Sequence, residues 1–146
     1  MNTDTLLQRK YHHFHHYVGS CIFHVVFCTK YRRKVLNDTY AEMLKQIVYD
    51  KQEQYGYRVL AVEVMPDHVH LLLDVLDLMN GVHRVVSKIK GILGHELRQQ
   101  FPKLKSKLPT LWTRSKFIAS VGTVNLEAVK AYIDNQKSAA GKTVKR

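Results

Sequence analysis

Val59-Leu60-Ala61-Val62-Glu63-Val64-Met65, then Pro66-Asp67, then His68-Val69-His70-Leu71-Leu72-Leu73-Asp74-Val75 is the stretch that decides the fold. Two runs of β-branched and aliphatic residues flank a Pro-Asp pair that favours a turn, so the segment reads as two strands of a hairpin. Toward the N-terminus, Cys21 to Cys28 is a further strand, followed by the basic loop Lys30-Tyr31-Arg32-Arg33-Lys34. Asn37 or Asp38 caps a helix that runs to about Tyr55 with Tyr40, Leu44, Ile47 and Val48 on one stripe, and Gly56 ends it. Toward the C-terminus, Met79 to Phe101 has helical spacing, Lys103 to Pro109 is a basic connection, and Leu111 to Val121 reads as a fourth strand. Asn125 then caps a last helix through about Ser138, with Leu126, Val129 and Ile133 as its apolar stripe. The order βαββαβ plus a helix is the α+β, ferredoxin-like arrangement: a four-stranded antiparallel sheet with two helices on one face.

A chain of 146 residues has room for one domain, expected over 17–140, with a mobile N-terminal arm over 1–16 and a basic tail over 141–146. Lys and Arg number 23 against 12 Asp and Glu, a net charge of +11 that calls for a polyanionic partner. Nucleic acid leads and a membrane surface is the alternative. Cys21 and Cys28 point to opposite faces of one strand and cannot pair with each other, which fits a reducing compartment. No secretory leader and no run of apolar residues long enough to span a bilayer is present, so a cytoplasmic location with no membrane partner is expected.

Strand alternation distributes the chemistry. On the strand His68–Val75, Val69, Leu71, Leu73 and Val75 share the core face, while His68, His70, Leu72 and Asp74 lie opposite. On the fourth strand Leu111, Phe117, Ala119 and Val121 are expected inward, and Trp112, Arg114 and Lys116 outward. Ile22, Val26 and Leu72 make the second face partly apolar, and the C-terminal helix is the only spare element to cover it.

His68 and His70, two apart on one strand, project from one face at a separation one metal ion can bridge. Two hydrogen-bonded histidines is the competing reading. His13-Phe14-His15 repeats the pattern, but within an aperiodic His12–His16 cluster that lacks rigid support. Tyr132 and Gln136 share a helix face one turn apart. If the last helix covers the sheet, that face meets the histidines, offering Gln136 as a third neutral ligand and Tyr132 as a nucleophile. Taken singly, each reads as an ordinary aromatic or solvated residue. Lys30, Arg32, Arg33 and Lys34 with the interleaved Tyr31, together with Lys88, Lys90 and Arg114, are candidate DNA contacts. His24 falls on the histidine face by parity, as a supporting residue or a packed strand histidine, and Glu63 lies near the same face with no assigned role.

Val64-Met65-Pro66-Asp67-His68-Val69-His70-Leu71-Leu72 resembles the signature of the HUH single-tyrosine transposases of the insertion-sequence 200/605 type, the TnpA proteins. Lys30-Tyr31-Arg32-Arg33-Lys34-Val35-Leu36, Leu111-Trp112-Thr113-Arg114-Ser115 and Tyr132-Ile133-Asp134-Asn135-Gln136 are similar to further motifs of that family in the same order, so the resemblance runs from about residue 20 to 137. It implies a ferredoxin-like fold and a homodimer that binds single-stranded DNA hairpins at element ends, with active sites shared between subunits. It also implies a Mg²⁺ or Mn²⁺ site made by His68, His70 and Gln136, and Tyr132 as the nucleophile that forms a 5′-phosphotyrosine. Lys116 departs from the family, which often has an aromatic residue there.

Three other readings compete. A related transposase acting on repeated chromosomal palindromes differs only in substrate. A non-catalytic single-stranded nucleic-acid-binding module explains the charge but gives the histidines and tyrosine no joint task. A Zn²⁺ hydrolase using His68, His70 and Asp74 predicts turnover without a protein–DNA adduct.

Overall fold

The Pro66-Asp67 hairpin forms as read, and the sheet grows around it. The computed structural model describes residues 21–76, 81–122 and 124–136, with the backbone alone of 12–14 and 17–19. In chain order its elements are β1 (His12–Phe14), β2 (Tyr17–Gly19), β3 (Ile22–Cys28), a 3₁₀ turn (Lys30–Arg32), α1 (Asp38–Asp50) and α2 (Gln52–Tyr55). There follow β4 (Tyr57–Val64), β5 (His68–Val75), α3 (Gly81–Gln100), α4 (Pro102–Lys107), β6 (Phe117–Ser120) and α5 (Leu126–Asp134). The main sheet is antiparallel throughout in the order β4-β5-β3-β6, the ferredoxin-like topology expected. β1, in the segment 1–16 read as an aperiodic arm, pairs antiparallel with β2 as a separate ribbon. The rest of that arm and the tail 141–146 lie outside the described residues.

One face of the sheet carries the main core. Val25, Phe27, Val69, Leu71 and Leu73 pack under α1 and α3, which contribute Leu44 and Val48, and Val86, Ile89, Leu93 and Leu97. Asn37 caps α1 by accepting a hydrogen bond from the Tyr40 N–H at 2.9 Å. Gly56 closes α2 with φ 72°, a left-handed position that glycine takes without steric cost.

The second face is covered by α5, as its apolar stripe requires. Leu126 and Ile133 are buried on Ile22, Ala61 and Leu72, with Val129 packed beside them. Each such side chain stabilises the docked helix by roughly 1.5–3 kcal/mol. This cluster is small and separate from the main core, so helix docking rests on few contacts.

The fourth strand departs from expectation. Only Phe117–Ser120 pairs with β3, and Trp112 meets Thr29 in an isolated bridge. Leu111 is buried in the main core and Arg114 is exposed, as expected, but Trp112, Phe117 and Val121 take the reverse of the faces expected. Ile118 stands opposite Val25 on the core side, whereas Phe117, opposite Val26, is 55% exposed on the second face. Trp112 turns into the core edge-on to Phe27 at 4.7 Å. The run Phe117-Ile118-Ala119 is apolar at both parities, so alternation within it cannot choose a face; the register against β3 does. The segment read as a basic connection, Lys103 to Pro109, contains most of α4, anchored by buried Leu104.

Candidate active site

The turn at Pro66-Asp67 is held from outside the hairpin. The Thr29 N–H donates to the Asp67 carbonyl at 2.9 Å, with the Thr29 hydroxyl 3.2 Å from the same oxygen, and the Leu36 N–H donates to the Pro66 carbonyl at 3.0 Å. Asp67 and His68 are thereby fixed relative to β3, where Cys28 faces His68 and Val26 faces His70.

Two outward hydrogen bonds set the imidazoles. His68 Nδ1–H donates to Asp67 Oδ1 at 2.6 Å, which leaves Nε2 with its lone pair. Arg32 pairs with the other Asp67 oxygen at 3.3 Å. Burial would raise the Asp67 carboxyl, but the hydrogen bond and charge of His68, and then those of Arg32, outweigh it and hold it below the ordinary carboxylate range. His70 Nδ1 lies 3.2 Å from His24 Nε2, with the two rings stacked at 5.5 Å. Burial, and after it the proximity of His68 and then His24, lowers His70 to about 4, so it is neutral at neutral pH. His24 is lowered by burial as well.

The outcome is two Nε2 atoms, on His68 and His70, facing each other at 3.1 Å. Two lone pairs in that position repel unless a cation or proton lies between them. Two donors about 2.1 Å from one octahedral ion, at right angles, would stand about 3 Å apart, so the pair fits a divalent ion. Asp67 behind His68 and His24 behind His70 are the outer partners such ligands normally require. Among the described residues no group of three or more His, Cys, Asp or Glu is arranged to hold an ion.

Helix α5 brings Tyr132 to this pair within one chain. Its ring lies edge-on to His70 at 6.1 Å and to His24 at 6.5 Å, and it is 55% exposed. Gln136 follows one turn later and is half-buried, and the hydrogen bonds among the described residues do not tie it to either histidine. Phe117, expected inward, instead lies 5.9 Å from His24 and gives the site an exposed apolar wall. Glu63 stands opposite His70 in the register, as parity placed it, and its Oε1 lies 3.7 Å from Lys45 Nζ and accepts from the Val64 N–H. Asp67 was legible only as a turn residue; its adjacency to His68 was the signal for more.

The basic candidates separate. Lys30 and Tyr31 line a cleft with Arg114 between α3 and the segment 109–114, just beyond the end of β3 where Cys28 faces His68. Arg32 turns to Asp67, while Arg33 reaches the Lys107 carbonyl at 3.5 Å and Lys34 is exposed. Lys90 is engaged within the fold: its ammonium donates to the carbonyls of Thr113 at 2.7 Å and Ser115 at 3.3 Å. Lys88 is apart from the cleft, over the Tyr55 ring at 5.7 Å. Cys21 and Cys28 are both free thiols. No helix among the described residues is long and apolar enough to cross a membrane.

Comparison with known proteins adds an independent line. Residues 17–136 match the model of the family described as IS200-like transposases. The ISDra2 transposase TnpA of Deinococcus radiodurans is 36% identical over 122 residues, spanning 82% of this chain and 86% of that protein. The transposase for insertion sequence element IS200 of Salmonella typhimurium is 30% identical over 119 residues, spanning 80% of this chain and 77% of that one. Among solved structures, a Deinococcus radiodurans R1 protein described as a transposase superposes with a TM-score of 0.69 at 34% identity, covering 86% of this chain and 97% of its own. A REP-associated tyrosine transposase bound to a REP hairpin shares the fold, with a TM-score of 0.62 at 16% identity over 89% of this chain and 73% of its own.

Proposed function

Because this chain belongs to the family of IS200-like transposases, we propose that it binds single-stranded DNA hairpins at element ends and cleaves and rejoins single strands through a 5′-phosphotyrosine on Tyr132. The observation that carries the reading is the Tyr132 ring set 6.1 Å from His70, beside two imidazole Nε2 atoms that converge at 3.1 Å.

His68 and His70 would hold a divalent ion, Mg²⁺ or Mn²⁺, with Gln136 as third ligand. When bound, that ion supplies neutralisation of charge on the scissile phosphate, and ligands that are all neutral leave its +2 charge intact for the task. Tyr132 Oη attacks phosphorus, forming the O–P bond as the bond to the 3′ oxygen breaks; the phenol loses its proton and the departing oxygen leaves as a 3′-hydroxyl. The covalent bond conserves the energy of the cleaved diester, so a second strand's 3′-hydroxyl can reverse the step without ATP. A phenol is protonated at neutral pH, and a bound ion would supply the positive field that helps it ionise. Asp67 and His24 hold the imidazoles with their Nε2 atoms forward. The exposed position of Tyr132 on a lightly docked helix suits a nucleophile that receives a polymer and moves with it. In a homodimer, the same helix can serve either its own histidines or those of the partner subunit.

The test is incubation with end-labelled single-stranded DNA carrying a hairpin from the ends of the element, with Mg²⁺ or with chelator. A denaturant-resistant adduct that requires the ion and vanishes in Tyr132→Phe is the expected result. Cleavage without an adduct would replace this reading by the hydrolase, and binding without cleavage by the non-catalytic module.

A further inference from the structure

Between Trp112 and β6 the chain leaves the sheet. Trp112 pairs with Thr29 and Phe117 with Val26, so two residues of β3, Phe27 and Cys28, stand opposite the four residues 113–116. The near end of this excursion is pinned to β3: the Lys30 N–H donates to the Leu111 carbonyl at 2.8 Å and the Thr113 N–H to the Cys28 carbonyl at 3.0 Å. From Thr113 to Lys116 the backbone lies outside the ladder, and an irregularity of this kind re-aims the strand that follows it. That strand opens with Phe117, the exposed wall 5.9 Å from His24.

Two lysines tie the excursion to α3, one from each side. Lys90, on α3, places its ammonium 2.7 Å from the Thr113 carbonyl, 3.3 Å from that of Ser115 and 3.5 Å from that of Arg114. An ammonium has three donors, so one cation gathers three successive carbonyls. The centre of the Phe27 ring is 5.9 Å from the same Nζ. In return Lys116, within the excursion, donates to Ser87 Oγ on α3 at 3.2 Å. Ser87 and Lys90 are three apart and share one face of the helix. Holding two cations this close is unfavourable. Burial lowers the Lys90 ammonium from its ordinary range, and Lys116 lowers it further, against an opposing effect of Cys28. The carbonyls offset a penalty that a lysine turned out to solvent does not incur.

A phosphate contact needs its ammonium directed outward, whereas this one is directed onto the backbone. We propose that Lys90 is a positioning residue: with Lys116 it fastens segment 113–116 to α3 and so fixes where Phe117 enters the sheet beside His24 and Tyr132. The inference rests on the reading that Tyr132 and the histidines form the reaction site. Phe117 acts there through His24, whose Nε2 meets His70 Nδ1 at 3.2 Å. Unfastened, the two residues in excess over β3 are free to redistribute. A slip of one position in the pairing puts Ile118 on the site face and Phe117 on the core face.

The test compares the wild-type chain with Lys90→Met, which keeps an apolar stem and removes the charge, and with Ser87→Ala, which removes only the Lys116 acceptor. Circular dichroism and urea midpoints establish that the variants fold. Without DNA, amide hydrogen exchange at 114–118 is expected to quicken about tenfold in Lys90→Met and less in Ser87→Ala, with β5 and α5 unchanged. In Lys90→Ala, propylammonium, which supplies the atoms from Cγ to Nζ, should slow that exchange again where propanol does not. Hairpin affinity is then followed against salt. Loss of a phosphate contact lowers the slope by about one; an unchanged slope with adduct formation slowed about tenfold is expected here. Unchanged exchange in folded Lys90→Met overturns the proposal, as does a slope lowered by about one. Quickened exchange with adduct formation at the wild-type rate overturns it too. If Lys90→Met does not fold, unchanged exchange in Ser87→Ala is the overturning result. A wild-type chain that forms no adduct, with the exchange response intact, sinks the tyrosine chemistry and leaves the fastening of the segment standing.

Discussion

Acid should destabilise this protein through one buried imidazole. His70 is 6% exposed and falls from its ordinary 6.5 to about 4, first because burial disfavours the charged ring and then because His68 and His24 adjoin it. The unfolded chain therefore takes up a proton near pH 6.5 that the folded chain refuses until about pH 4. Stability falls as the pH is lowered wherever the unfolded state binds more protons, so this contribution is intact above about pH 6.5 and is lost on the way down to about pH 4. At about 1.36 kcal/mol per pH unit, the loss between pH 7 and pH 4 is about 3 kcal/mol, a large part of the stability of a small domain. Asp67, held below its ordinary range, loses its own contribution in the same direction, so the informative quantity is the difference from His70→Gln. The assay is urea unfolding followed by Trp112 fluorescence in chelator at pH 7, 5.5 and 4. Wild type should lose about 3 kcal/mol more than the variant across that range. Parallel pH profiles for the two proteins would show that His70 is not buried as a neutral ring and would refute the argument.

Other consequences are independent of it. Ile133→Ala empties a fully buried position under α5, and a loss of about 2–5 kcal/mol is expected; hydrogen exchange should show it concentrated in α5 and should be accompanied by a drop in adduct formation. Asp67→Ala removes the acceptor behind His68, so Mn²⁺ affinity by titration calorimetry should fall about tenfold to a hundredfold with folding retained; an unchanged affinity would exclude Asp67 as the orienting group. Mixing Tyr132→Phe chains with His68→Ala chains should restore some adduct formation if a dimer shares its sites, and no recovery after verified subunit exchange would assign each tyrosine to the histidines of its own chain.

Much of the site was readable because it is built from short periods. His68 and His70 are two apart on a strand, and Tyr132 and Gln136 four apart on a helix, so local geometry alone puts each pair on one face. The apolar surface opposite the main core required a cover, and Leu126, Val129 and Ile133 marked the helix that supplies it. His24 was placed on the histidine face by the same parity, without the contact to His70 Nδ1 that gives it a role.

What escaped was set by partners distant in the chain. Phe117 was expected inward, but Ile118 beside it is apolar as well, and pairing with Val26 turns Phe117 toward His24 instead. Lys90 looked like a phosphate contact, yet its ammonium is taken by carbonyls more than twenty residues away. Asp67 became an orienting group only when Thr29 and Arg32 fixed the turn.

By itself the sequence determined the three strands at the centre of the sheet, the long helices and the two short-range pairs singled out for chemistry, because periods of two and 3.6 residues are properties of the local backbone. Only the tertiary structure decided which way the imidazole nitrogens point, which face Phe117 occupies, and that Tyr31, Arg98 and Trp112 meet in one cleft. Those outcomes depend on strand register and on hydrogen bonds that close long loops, and no local pattern encodes the far end of such a contact.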